Sequence, residues 1–208
     1  VPNEFQRVGK FNIGCTAGME TTLVDASWVQ GMNRMDLNLV SSVHSKTSFL
    51  NSTYNQQDQQ GNVVGQLKIE KPIEVLFEGA DLSTYFPDDT PCEIDFDIPE
   101  SFAYLFVGHW MQGDLGQDRK NVGLLIKVFY ETFKNKKKKP ALILKTSQVG
   151  TSYMDRDAIL KKIDQIKQTI DSKNLPNIYL LHGEFTNKEM NSIYNHSKIK
   201  CMVSFTKG

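Results

Sequence analysis

The chain has 208 residues and a mass of 23.6 kDa, enough to bury a real core as one domain or two small ones. Lys and Arg number 24, Asp and Glu also 24, and 39% of residues are hydrophobic, a balance that argues against both a disordered chain and a basic nucleic-acid-coating protein. No apolar run approaches the roughly 18–20 residues that span a bilayer, and Cys15, Cys92 and Cys201 are far apart with no CxxC spacing, so a soluble protein in a reducing, cytoplasmic setting is expected, without disulfides or a zinc knuckle.

In chain order, residues 11–15 read as a strand, about 26–33 as a helix, 37–40 as a strand and 45–50 as the start of another helix. Residues 51–65, rich in Asn, Gln, Ser and Gly, read as an exposed excursion before a strand over 73–77. Residues 81–99 hold Pro87, Pro91 and Pro99 among many acids. That is linker composition, so residues 1–80 are assigned to a first domain, 81–100 to a linker and 101–208 to a second domain. The chain opens with Val rather than Met and stops at Lys207-Gly208 directly after an apolar run. We therefore expect a piece of a longer protein, with both domains incomplete.

The second domain has the clearer rhythm. Residues 102–108 form a continuous apolar run closed by Gly108, the pattern of a strand buried on both faces. Val122, Leu125, Ile126, Phe129 and Phe133 recur at spacings of three and four and predict a helix over 118–133 with Asp118 as N-cap. Lys134, Lys136 to Lys139 and Pro140 follow as a helix stop. The unit repeats, with a strand over 141–144, a helix over 155–171, a strand over 178–181, a capping box at Thr186 and Glu189 opening a short helix, and a strand over 200–205. Strands alternating with helices imply a parallel sheet in an α/β fold, with ligands beyond the carboxyl ends of the strands.

Several segments resemble the retaining glycosyltransferases of the GT-B fold, the group 1 type, whose two Rossmann-like domains use nucleotide-sugar donors. In the first domain these are Ile13-Gly14 through Glu20-Thr21-Thr22, the Trp28 helix leading to Asp36, and Ser42 through Lys46. The run Ile73 to Asp81 followed by Tyr85-Phe86-Pro87 resembles the link into the donor domain, with Glu78 and Ala80 where Asn and Val are commonest. In the donor domain, Phe106-Val107-Gly108 and then Arg119-Lys120-Asn121 resemble the strand and helix start that grip the donor diphosphate. Lys120 matches the second basic position of that motif, while His109 stands where Arg is usual, so Arg119 is inferred to supply the missing guanidinium. Leu180 to Gly183 with Glu189, Met190 and Tyr194 resembles the nucleobase side of the site, and residues 200–205 the strand before an acidic segment.

The resemblance implies transfer of a hexose from a nucleoside-diphosphate sugar to a hydroxyl acceptor with retention and without a metal. The acceptor, whether glycan, lipid or small molecule, stays open, and no nucleic-acid partner is implied. For the donor the expected contacts are Lys120, Arg119, Lys145, His109, Gly183 and Phe185, and Glu20 is the candidate catalytic residue facing the sugar. Each has a plainer reading. Arg119 and Lys120 are otherwise solvated surface, Lys145 a strand-end residue reaching solvent, His109 loop filling, Phe185 core packing and Glu20 a turn residue, while His44, His182 and His196 read as surface or loop histidines. Chemically, a leaving diphosphate without a metal needs cations and amide donors, which a basic turn at a helix N-terminus provides. A truncated chain of this kind is expected to bind donor weakly and turn over little. The alternative is a non-catalytic α/β nucleotide-binding or self-associating module whose exposed sheet edges pair with a second copy. The chain carries no GxGxxG, P-loop, GxSxG or HExxH motif.

Overall fold

The computed structural model describes residues 1–19, 21–89, 94, 96–113 and 115–205, in two compact units, Val1–Ala80 and Asp81–Lys207. In the first, β1 (Ile13–Thr16) leads through α1 (Ala26–Asn33) to β2 (Leu37–Val40), and α2 (Val43–Asn51) and a hairpin of β3 (Tyr54–Gln57) and β4 (Val63–Leu67) precede β5 (Ile73–Val75). The order β1-β2-β5 is parallel throughout. Asp25 starts α1 by accepting from the Ser27 amide at 2.8 Å, and Ser42 starts α2 by accepting from the Ser45 amide at 3.0 Å, so each helix opens on a short polar side chain that satisfies an otherwise unbonded amide. Val29 and Met32 of α1 and Phe49 of α2 close over Val40 and Ile73 of the sheet, with Trp28 stacked on Phe49.

The stretch expected as an exposed excursion is exposed, but most of it is the β3–β4 hairpin. Asp58 turns the chain by accepting from the Gln60 and Asn62 amides at 2.8 and 2.9 Å, and Gly61 takes φ +86°. Asn and Gln side chains on β3 and the Val63-Val64-Gly65 run on β4 hide the period of two, because the pairing is made by the main chain.

Gly31 packs α1 on the 3₁₀ turn Pro2–Glu4, and a Cβ there would collide with the Pro2 carbonyl. Gly31→Ala is therefore expected to displace the N-terminal turn and lower the melting temperature of the first unit. Ala is the better helix former by about 1 kcal/mol, so a raised melting temperature with unchanged protease resistance at residues 1–5 would refute the contact.

The second unit runs β6 (Ala103–Val107), α3 (Val122–Phe133), β7 (Ala141–Lys145), α4 (Tyr153–Gln168), β8 (Ile178–Leu181), α5 (Asn187–Tyr194) and β9 (Ile199–Val203). Its sheet is parallel in the order β8-β7-β6-β9. Alternate residues of the two central strands serve opposite faces. Phe106, Leu142 and Leu144 pack with Ile126, Phe129, Ile159 and Ile163 of α3 and α4, while Ala103, Leu105, Ala141 and Ile143 pack with Ile193 of α5. This is the α/β, Rossmann-like architecture of a parallel sheet with flanking helices expected from the alternating pattern.

Two boundaries differ from expectation. α3 begins at Val122, not 118, because Asn121 sits at φ 50° and breaks the helical run, while Asp118 reaches across the turn to accept from the Val122 amide at 2.8 Å. Arg119 and Lys120 thus lie in the turn before the helix rather than in its first turn. The segment of linker composition belongs to the second unit. The Phe86 amide donates to Asn191 Oδ1 at 3.2 Å, the Asp88 amide to Asn195 Oδ1 at 3.0 Å, and Phe96 and Ile98 are buried on the α5 face. Phe96 and Ile98 are the apolar side chains that anchor it. No helix among the described residues is long and apolar enough to cross a membrane.

Candidate functional site

The register of the second sheet aligns Val107 of β6, Lys145 of β7 and Leu181 of β8 as the last residues of three adjacent strands. The loops leaving these ends therefore share one rim, and hydrogen bonds extend the ladder beyond the strands. The Gly108 amide donates to the Lys145 carbonyl at 3.1 Å, and the Trp110 amide to the Ser147 carbonyl at 2.9 Å. His109 is held between them with Nδ1 3.1 Å from Ser147 Oγ. Its expected place beside a bound phosphate is thus at the rim, next to a hydroxyl that fixes the ring.

Lys145 points along the rim to the loop after β8. Its ammonium donates to the Gly183 carbonyl at 3.0 Å and lies 5.1 Å from the centroid of the Phe185 ring. Three of the expected donor contacts, Lys145, Gly183 and Phe185, are therefore in mutual contact. Gly183 adopts φ 144°, a conformation that a side chain would strain, so the turn that offers its carbonyl requires glycine. Phe185 also packs at the margin of the α5-side core, so its plain packing role and its place at the rim are both real.

Arg119 is exposed and Lys120 half-buried in the turn preceding α3. Neither is engaged by a hydrogen bond or ion pair among the described residues, which leaves two cations available close to the first unbonded amides of a helix. Glu20, the candidate catalytic residue, lies outside the described residues.

The sequence reading missed a buried polar set behind these loops. His182, expected as a surface or loop histidine, does lie in the loop after β8, but its side chain is only 6% exposed, and Nε2 lies 2.9 Å from Oδ2 of Asp155, itself 9% exposed. Asp155 also accepts from the amides of Gln148 and Val149 at 3.0 and 3.1 Å. Burial alone would raise the Asp155 carboxyl, but the bond from His182 and the two amides outweigh it and hold it below the usual aspartate range. This one carboxylate ties the β7–α4 loop to the end of β8. The signal that could have revealed it is the Ser152-x-x-Asp155 spacing, which places an acid at the third helical position, where the Ser152 hydroxyl accepts from the Asp155 amide at 3.1 Å.

Three buried polar atoms at this end of the unit, Thr146 Oγ1, Gln148 Nε2 and Asn121 Oδ1, have no partner among the described residues. Buried polar groups are seldom left so, because each costs about 1–3 kcal/mol. Two donors and an acceptor on the loops after β7 and before α3 suit a polar ligand.

No family model matches the sequence, and no curated protein matches it. Among solved structures, the chain is similar to an apo structure of OtsA, at 15% identity and a TM-score of 0.47 over 81% of this chain and 39% of that one. It is also similar to a structure described as trehalose-6-phosphate from E. coli bound with UDP-2-fluoro glucose, at 14% identity and a TM-score of 0.45 over 81% of this chain and 40% of that one. A third, of the trehalose-6-phosphate synthase OtsA, matches at 14% identity and a TM-score of 0.45, with 81% and 39% covered. The chain spans about two fifths of the length of these proteins.

Proposed function

We propose that the chain carries the donor-binding part of a glycosyltransferase of GT-B type, acting on a nucleoside-diphosphate hexose and a hydroxyl acceptor. The observation that carries this reading is the rim of the second sheet, where His109, Lys145, Gly183 and Phe185 meet beyond the carboxyl ends of parallel strands. Unpartnered buried polar atoms lie behind them, and Arg119 and Lys120 lie in the turn before a helix. In this reading Arg119 and Lys120 take the diphosphate, one as a fork and the other as a point charge. The α3 amides add to them, and the Phe185 edge of the rim takes the base. With cations meeting the leaving charge, transfer proceeds with retention and without a divalent metal, and Glu20 is the catalytic residue of this reading.

Calorimetric titration with UDP, GDP and their hexose conjugates at fixed salt tests the reading. Binding is expected to weaken by about 1–3 kcal/mol in Lys120→Ala and in Arg119→Ala, the scale of a lost charged hydrogen bond. Addition of a chelator is expected to leave the affinity unchanged. Nucleotide affinity that neither substitution alters would place the diphosphate elsewhere, and self-association with no nucleotide affinity would favour the non-catalytic module.

A further inference from the structure

The end of the second sheet opposite the donor rim carries the densest run of charge in the chain, Lys134 and Lys136 to Lys139. The amino ends of the strands, Ala103, Ala141, Ile178 and Ile199, lie together there. Two loops enter β7 and β8 at this end, residues 134–140 and 170–177. Between them they hold Lys134, Lys136 to Lys139 and Lys173 against a single acid, Asp171.

Two observations separate this patch from an ordinary helix stop. The dipole of α3 acts within its last turn, and α3 ends at Phe133, so it accounts for Lys134, which pairs with Glu131. Lys136, Lys137 and Lys138 lie beyond it, and Lys173 is on another loop. All four are exposed, and their ammonium groups have no partner among the described residues. The second observation is that the two loops are fastened together. The Asn135 amide donates to the Asn174 carbonyl at 2.9 Å, and Ser172 Oγ donates to Asn135 Oδ1 at 2.9 Å. Lys139 donates to Asn174 Oδ1 and, at 3.3 Å, to the Leu175 carbonyl. Like charges are thus held on one braced platform although they repel.

An extended anionic surface complements such a platform, and Phe102 selects its kind. Phe102 is 39% exposed at the entry to β6, and its carbonyl accepts from the Ala141 amide at 2.9 Å. Its ring lies 5.1 Å from that of Tyr104, which in turn lies 6.0 Å from that of Phe133 at the end of α3. The half-open ring is therefore at the foot of the lysine loop. Lysine stems around an apolar edge suit the boundary between headgroups and acyl chains, whereas one partly covered ring offers no run of faces for nucleobases to stack on. We propose that this platform docks the second unit on a membrane surface rich in anionic lipid, with Phe102 at its edge. The donor rim lies at the other end of the same strands, so docking leaves it facing away from the lipid.

The test is co-sedimentation of the chain with vesicles of phosphatidylcholine alone and of phosphatidylcholine with about 30% phosphatidylserine. Binding is expected to the second and not to the first, and is expected to be lost as salt rises from about 0.05 to 0.5 M. Removing one of the unpartnered lysines is expected to weaken it about fivefold, and the triple variant Lys136→Gln, Lys137→Gln, Lys138→Gln about a hundredfold. The control variant Lys10→Gln, Lys68→Gln, Lys161→Gln removes as many exposed charges elsewhere and is expected to bind as the wild type does. Phe102→Ala is expected to bind about fivefold more weakly. Equal binding to both kinds of vesicle, or an equal loss in the control variant, would overturn the proposal. So would undiminished binding in the patch variant or in Phe102→Ala, or tighter binding to single-stranded RNA than to the anionic vesicles.

Discussion

Phe106→Ala is expected to cost the second unit about 3–5 kcal/mol, the range for removing a fully buried aromatic ring from a core that relaxes only in part. Phe106 is 1% exposed on β6, the strand hydrogen-bonded on both sides by β7 and β9. Its ring belongs to the cluster formed by Trp110, Ile126, Leu142 and Leu144 under α3 and α4. No surface element can settle into the space that it leaves, because both neighbouring strands are fixed by their ladders. Domains of this size are stable by about 5–15 kcal/mol, so the substitution removes a large share of the total. Urea unfolding followed through Trp110 fluorescence in a Trp28→Phe background reads the second unit alone. A loss below about 1 kcal/mol would mean that the ring is not part of a packed core.

Asp155→Ala ranks next, with an expected loss of about 1–3 kcal/mol at neutral pH, chiefly from leaving the buried His182 side chain without its partner. Its carboxylate receives His182 and the amides of Gln148 and Val149, and alanine offers none of the three an acceptor. The pH dependence has a definite sign. A carboxyl held below its ordinary value in the folded state contributes stability that is complete above that value, 3.8 for aspartate, and is lost as the pH falls through the folded value. The gap between wild type and variant is therefore expected to be constant from neutrality down to about pH 5 and to close on further acidification. A gap that persists undiminished once the solution is well below the ordinary aspartate value would mean that Asp155 is not the acceptor of this network. Such a change would also loosen the loop that carries Gly183 and Phe185, so under the proposed function nucleotide affinity is expected to fall with stability.

The strands of the second unit were legible because their burial is two-faced. Ala141 to Leu144 reads as strand from composition alone, and Leu142 and Leu144 do serve one face while Ala141 and Ile143 serve the other. Thr186 and Glu189 gave the start of α5 for an equally local reason, since a capping box is made by residues three apart, and both of its bonds are present. The rim was legible as a place, the carboxyl ends of parallel strands, and as a set of cations and a glycine. What escaped were pairings across long stretches of sequence. His182 and Asp155 are 27 positions apart, and nothing near either residue announces the other. The β3–β4 hairpin escaped because Asn and Gln side chains of β3 conceal the alternation that the backbone makes, and the fastening of Phe86, Asp88, Phe96 and Ile98 escaped because two buried side chains outweigh a composition dominated by prolines and acids.

The Lys145 ammonium is engaged by a carbonyl and a ring that both belong to the turn after β8. An anion arriving at that ammonium meets an internal competitor, so its net affinity is the difference between the new contact and those surrendered. The same exchange frees the turn. Occupancy of Lys145 by any anion and the order of residues 183–185 are consequently linked quantities, and by reciprocity whatever orders that turn elsewhere alters how tightly such an anion is held.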